Sequence, residues 1–296
     1  MGTRVTRRRS TWRPCVSTVP ARSTVAPSAR CVRRLEAVEV VTVKAISSRD
    51  NPLLVRLRKL AADPGAYRKL GEVWIEGDHL CAAFLQRGGT APHAVITEAA
   101  WEQPSLRELA SRAETVAIVP QALMAALSAL ESAAPLGFAV PWQGQGVLLP
   151  DAATVVLDRL QDAGNVGAII RSAAAFGFAQ IVAIKGTAAL WSPKVLRAGM
   201  GAHFGLKLVE GVDESALDAI KLAMLATSSH AEHALHEVDL PWPCAWVLGH
   251  EGQGVSAALM QRCSQALRIP QPGGEESLNV AAAAAVCLYE SARQRL

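Results

Sequence analysis

The stretch Thr154-Val-Val-Leu-Asp-Arg-Leu-Gln-Asp162-Ala-Gly-Asn165-Val-Gly-Ala-Ile-Ile-Arg171 decides the fold. A short apolar run ends in polar residues and glycine, and an amphipathic helical pattern follows. That is the signature of a buried strand feeding a helix through a ligand-facing turn. The pattern returns twice downstream. Ala245-Trp-Val-Leu248 leads into Gly249-His-Glu251-Gly-Gln-Gly254, and Ala266-Leu-Arg-Ile269 leads into Pro270-Gln-Pro-Gly-Gly-Glu-Glu-Ser277-Leu278-Asn279. Each places Asn, Arg, Glu or Ser beside glycine at a strand end. Glycine lets the main chain approach a ligand, and the polar groups supply directed hydrogen bonds.

Working outward, residues 151–296 alternate strand and helix. Strands are expected at 154–157, 180–184, 206–209, 221–226, 245–248 and 266–269, and helices at 166–176, 192–200, 214–221, 256–263 and 278–293. Short apolar strands separated by helices imply a parallel sheet covered on both faces. Upstream, residues 41–145 read as a smaller α/β domain. Its helices are expected at 52–62, 79–86, 105–113 and 120–130, its strands at 72–76, 94–97 and 115–119, and a closing strand region at 135–140 and 146–149. The fold class is therefore α/β, with a second domain from about residue 150 to 296.

Composition qualifies this picture. The 296 residues carry a formal charge of +4, but residues 1–35 hold nine arginines and no acid, leaving 21 basic and 26 acidic residues elsewhere. The basic pI thus belongs to the leader and says little about the globular body. Residues 1–40 lack periodicity and read as a disordered basic extension. A transit peptide, an RNA-binding arm and an upstream-start artefact are the three explanations, with a dispensable tail favoured. The six cysteines form no CxxC pair, so neither a zinc site nor a disulfide framework is expected, and a reduced, cytoplasmic compartment is (an organelle if 1–40 is a transit peptide). The longest apolar helix is too short to span a bilayer. His230, His233 and His236 do not share one helical face, which argues against a metal site.

The three segments, in this order, resemble motifs 1, 2 and 3 of the SpoU/TrmH branch of the SPOUT RNA ribose methyltransferases. The resemblance covers about 151 to 296 and includes Val195-Leu-Arg-Ala-Gly-Met-Gly-Ala-His-Phe204 between motifs 1 and 2. Ile46-Ser-Ser-Arg-Asp-Asn-Pro52 and Trp74-Ile-Glu-Gly77 are similar to the L30e-like substrate-binding domain of the same enzymes. The resemblance implies a deep trefoil knot, a homodimer with composite sites, and S-adenosyl-L-methionine held near Thr227, Leu248, Gly249, Gly254, Ile269 and Leu278. It implies methyl transfer to a ribose 2′-hydroxyl, in ribosomal RNA ahead of transfer RNA. Asn165, Arg171, Glu251, Ser277 and Asn279 fall on the family's functional positions. Arg49, Arg56, Arg58 and Lys59 are candidate RNA contacts, although a solvated helical face is the commoner fate of such charges. Two positions depart from the pattern: Ala163 stands where Pro is usual, and His250 where Asn is common. A dinucleotide oxidoreductase is disfavoured because no G-x-G-x-x-G is present. A non-catalytic RNA-binding module is disfavoured because all five polar positions are intact.

Overall fold

The computed structural model describes residues 41–128, 132–273 and 278–296. The expected extension at 1–40 lies outside them. From Glu39 to Leu296 the chain forms one compact unit containing two sheets.

The first sheet comprises β1 (Thr42–Ala45), β2 (Glu72–Glu76), β3 (His93–Thr97), β4 (Thr115–Val119) and β5 (Leu136–Pro141), in the order β1-β4-β3-β5-β2. β1, β4 and β3 run parallel, while β5 is antiparallel to both β3 and β2. Around it lie α1 (Pro52–Ala62), α2 (Ala66–Leu70), α3 (Asp78–Gln86), α4 (Glu98–Trp101), α5 (Pro104–Ala110) and α6 (Gln121–Ala125). α1 shows how the sequence sets an element. The Asn51 side chain accepts from Leu53 N, Pro52 supplies a preset φ at the first position, and Leu54, Leu57 and Leu60 are buried on one face.

The strand expected at 146–149 does not form. Instead the buried Gln180 side chain pairs with that backbone, accepting from Leu149 N at 2.7 Å and donating to Leu149 O at 3.2 Å. A side-chain amide has replaced a ladder, so the segment needs no strand neighbour.

The second sheet has seven parallel strands: β6 (Thr154–Leu157), β7 (Gln180–Ile184), β8 (Lys207–Val212), β9 (Met224–Thr227), β10 (His233–Ala234), β11 (Ala245–Leu248) and β12 (Gln265–Arg268). Their order is β10-β12-β9-β11-β6-β7-β8. The helices are α7 (Ala163–Ala175), α8 (Pro193–Gly199), α9 (Ala257–Arg262) and α10 (Val280–Arg293). Strand alternation feeds two cores. Val155 and Leu157 join the layer built with α7 and α10, whereas Val156 joins Leu217 and Leu259 on the other face. The helix expected at 214–221 is a short 3-10 segment, Glu214–Ala219, and β10 is a two-residue strand that the sequence pattern did not reveal.

Small residues set the helix spacing on the site face. A Cβ at Gly167 would lie 2.4 Å from Ala198 Cβ and 2.7 Å from Val195 O, so α7 and α8 touch backbone to backbone. α10 packs against α7 with Ala284, Cys287 and Leu288, and Ser291 Oγ accepts from the buried Trp246 indole N–H at 2.9 Å.

The two sheets are clamped at Glu210 on β8, which is 4% exposed. Its carboxylate accepts from Tyr67 Oη, from Arg68 and from Leu190 N. Burial first, then the neighbouring Glu210 charge, pushes the Tyr67 phenol far above its ordinary range. Tyr67 is therefore a fixed neutral donor.

Candidate active site

All three polar-glycine segments emerge at the carboxyl ends of adjacent strands β6, β11, β9 and β12, the position where open α/β sheets bind ligands. There a chain of amides joins them. Asn165 Nδ2 donates to Glu251 Oε1 at 3.3 Å, and Asn279 Nδ2 donates to Asn165 Oδ1 at 3.0 Å. Asn279 Oδ1 then accepts from Ala281 N and Ala282 N, capping α10. The polarity of this chain is forced from both ends. A carboxylate only accepts and helix N-terminal amides only donate, so each Asn has one possible orientation.

The local sequence explains this. α7 is capped by Asp162, whose Oδ1 accepts from Asn165 N at 2.7 Å. Asn165 is thus not the cap that its place near the helix start suggested. Freed from capping, its side chain reaches across to motif 2. Asn279, expected just inside the last helix, is that helix's N-cap. Ser277 lies outside the described residues.

Partial burial alone raises the Glu251 carboxyl. Hydrogen bonds from loop backbone N–H groups and from Asn165 outweigh it and hold the pKa below its usual value. Glu251 is therefore a permanent anion that orients Asn165.

The motif 2 loop folds back on itself. A Cβ at Gly249 would fall 2.1 Å from Gly254 C and from Val255 N, so no side chain fits there. Gly254 N donates to His250 O, and Gly252 N donates to His250 Nδ1 at 3.0 Å. This is the bond an Asn side chain makes two residues on in an Asx turn. The His250 departure therefore preserves the loop's geometry.

Sequence reasoning missed the brace beneath this loop. Asp158, fully buried at the end of β6, receives Arg159 Nε at 2.7 Å, Arg159 Nη2 at 3.2 Å and Ser256 N at 2.7 Å. Arg159 adopts a left-handed φ of 59° and its Nη1 reaches Gln253 Oε1 at 3.4 Å. The signal was present, since Asp-Arg follows the strand directly.

The loops enclose a cavity of about 630 Å³ lined by Thr227, Gly249, Glu251, Gly254, Leu278 and Asn279, among others. A smaller one of about 150 Å³ adjoins it through Thr227 and Leu278 and adds Ile269 and Gln271. Five of the six expected cofactor positions line this space. Leu248 does not: its side chain is fully buried and its carbonyl accepts from Asp158 N. Gln271 Oε1 is a buried acceptor with no donor among the described residues, which leaves a ligand N–H or O–H to satisfy it. Among the described residues no group of three or more His, Cys, Asp or Glu gathers as a metal site.

Arg171 stands apart from the amide chain. It is exposed on α7, six residues beyond Asn165 and so rotated about 240° from it and about 9 Å along the axis. It has no hydrogen bond or ion pair among the described residues. The exposed positions around it on α7 are Gly164 and Ala175. On the neighbouring α10 they are Ala282, Val286 and Tyr289, the last two 41% and 51% exposed.

The first-domain cations divide. Arg56 is committed to Glu72 at 3.0 Å, and Arg58 Nη2 donates to Arg49 O at 2.8 Å. Arg49 and Lys59 are exposed. Arg56 is thus held as a structural partner of β2.

A parallel α/β sheet with a main-chain cradle at its strand ends, wired to Asn and Glu side chains, defines a nucleoside-cofactor-binding class of α/β enzyme. The model of the SpoU rRNA Methylase family matches residues 152–289. The chain is 33% identical over 270 residues to a Synechocystis protein named "Uncharacterized tRNA/rRNA methyltransferase slr1673", covering 86% of this chain and 95% of that one. It is 30% identical over 247 residues to the 23S rRNA (guanosine-2′-O-)-methyltransferase RlmB of Xanthomonas campestris, covering 75% and 97%. Among solved structures, the SpoU methyltransferase AviRb of Streptomyces viridochromogenes, in complex with the cofactor AdoMet, superposes with a TM-score of 0.75. That match has 25% identity over 83% of this chain and 98% of that one. The chain belongs to the SpoU methylase family.

Proposed function

We propose that this protein is an S-adenosyl-L-methionine-dependent RNA methyltransferase acting on a ribose 2′-hydroxyl, with ribosomal RNA as the substrate class. The observation that carries the reading is the Glu251–Asn165–Asn279 chain, which ties three motifs distant in sequence around one glycine-walled cavity. The relatives' names point the same way: RlmB acts on 23S rRNA guosine 2′-oxygens as its name states, and AviRb binds AdoMet.

The residues present fit the cofactor. Gly249 gives a wall of bare main chain, Gln271 offers an unused buried acceptor, and Thr227, Gly254, Ile269 and Leu278 complete the lining. When bound, the sulfonium supplies an activated methyl group. The protein's own task is to place the ribose hydroxyl and stabilise the charge that develops on its oxygen. Arg171 suits the second task. A guanidinium hardly deprotonates, so it acts as an electrostatic anchor for alkoxide and phosphate and not as a base. Glu251, held ionised, fixes Asn165, and Asn279 fixes the start of α10. Ser277, in the same motif, would position the nucleotide. Arg49, Arg58 and Lys59 would contact phosphates remotely.

Arg171 lies amid exposed small and apolar residues of α7 and α10, away from the cavity of its own chain. A second copy seated on that face would bury Val286 and Tyr289 and bring Arg171 to the partner's site. We therefore read the protein as a cytoplasmic homodimer with composite sites. The reading includes a knotted tail: β9 and β11 separate β12 from β6, yet Asn279, after β12, bonds Asn165, after β6. Residues 41–145 would form the substrate-binding domain and 150–296 the methyltransferase domain.

Arg171→Ala is the test. The variant should bind S-adenosylmethionine in a calorimeter as wild type does while losing transfer at least a hundredfold. Full transfer by the variant would remove Arg171 from the mechanism.

A further inference from the structure

A second cavity, of about 450 Å³, opens between the two sheets, away from the cofactor cradle. Four half-buried aromatic rings line it. Phe84 comes from α3, Trp142 from the segment after β5, and Trp191 and Phe204 from the segments flanking α8. Phe84 and Phe204 meet edge to face with centroids 5.2 Å apart, and Trp191 tilts against Phe204 at 6.4 Å. The Trp142 indole N–H is buried and has no acceptor among the described residues. Two cations, Arg87 and Lys207, also line the cavity. Both are exposed, and neither has a carboxylate partner among the described residues.

Rings without ring partners on every face, an unused buried donor and two unpaired cations at one mouth are the chemistry of a flat heteroaromatic group carrying negative charge. A volume of this size holds one nucleotide. We propose that this cleft binds a single unstacked nucleotide of the RNA substrate, with the base among the rings and its phosphate between Arg87 and Lys207. The inference rests on the RNA reading above. Lys207 begins β8, three strands from β11 and at the amino end of the sheet. The two sites are thus on the order of 20 Å apart, and the cleft grips a nucleotide other than the one methylated. It gives the two-sheet architecture a purpose: a strand held at both places is fixed in register over the cofactor cradle.

The test is fluorescence anisotropy with a 5′-fluorescein-labelled single-stranded RNA octamer, on the full chain, for wild type, Lys207→Gln and the Arg87→Gln/Lys207→Gln double variant. The double variant should bind at least tenfold more weakly, and its log Kd against log salt should be shallower by about 1.4, for two phosphates lost at about 0.7 each. S-adenosylmethionine affinity, measured by calorimetry, should be unchanged, so failure of the cofactor reading would register separately. Lys207→Gln alone, an exposed substitution, should give about half the change in slope and guards against misfolding of the double variant. Unchanged affinity and slope in both variants would overturn the proposal. So would saturable binding of adenosine monophosphate, weakened by Lys207→Gln, with no effect of that variant on the octamer, since the cleft would then serve a free nucleotide.

Discussion

His203 illustrates how one residue in this structure becomes a measurable quantity. It is fully buried, its Nε2 faces Leu190 O at 2.9 Å, and Gly199 packs against the other edge of the ring. A carbonyl only accepts, so Nε2 carries the proton. Burial drives its pKa down to about 4, against a small opposing effect of the Leu190 bond. The folded state refuses a proton that the unfolded chain takes near pH 6.5. Stability should therefore be complete above pH 6.5 and fall by on the order of 3 kcal/mol as pH drops to 4. Thermal melts across that range check this, and His203→Gln should flatten the slope. Asp158→Ala should cost about 2–3 kcal/mol, because Ser256 N and Arg159 lose a buried charged acceptor. Chemical denaturation measures it, and a change under 0.5 kcal/mol would mean that the loop is held by other contacts.

At the scale of elements, the sequence announced strands well where burial is two-sided. β4, β6, β7 and β11 fall at the expected residues because an apolar run of four or five has few alternatives in a covered parallel sheet. It announced poorly what depends on long-range partners. Residues 146–149 looked like a strand but found the Gln180 amide, and the two residues of β10 carry no pattern to read. In the candidate site, residue identities were legible while roles were not. Asn165 looked like a cap, and only the fold shows that Asp162 caps and Asn165 reaches Glu251. Arg56 looked available, yet Glu72, sixteen residues on, claims it. The glycine loop after β11 makes a sharp prediction. Gly249→Ala forces a clash with Gly254 and Val255 backbone, so the loop must open. S-adenosylmethionine affinity should fall at least thirtyfold in calorimetry, while α7 and the core keep their melting temperature within a few degrees. An alanine variant with wild-type affinity would mean that the loop is not the wall of the cofactor site.

For the whole molecule, the account joins two sheets, one cradle and an arginine that points away from it. The Glu210 clamp fixes the first sheet on the second. Glu210→Ala leaves Tyr67 Oη and Leu190 N without their acceptor and should cost about 3 kcal/mol, read by urea denaturation. The cradle and Arg171 belong to one reaction only if two copies meet. Mixing Arg171→Ala with Gly249→Ala protein should then restore about a quarter of wild-type activity, since half of the dimers are mixed and each carries one intact composite site. The central claim, methyl transfer to a ribose oxygen, is tested most directly by incubating the protein with tritiated methyl donor and ribosomal RNA, then hydrolysing the RNA in alkali. The account predicts label in alkali-resistant dinucleotides, where a 2′-O-methyl group blocks cleavage. Label confined to mononucleotides, as base methylation would give, or no label at all, would contradict it.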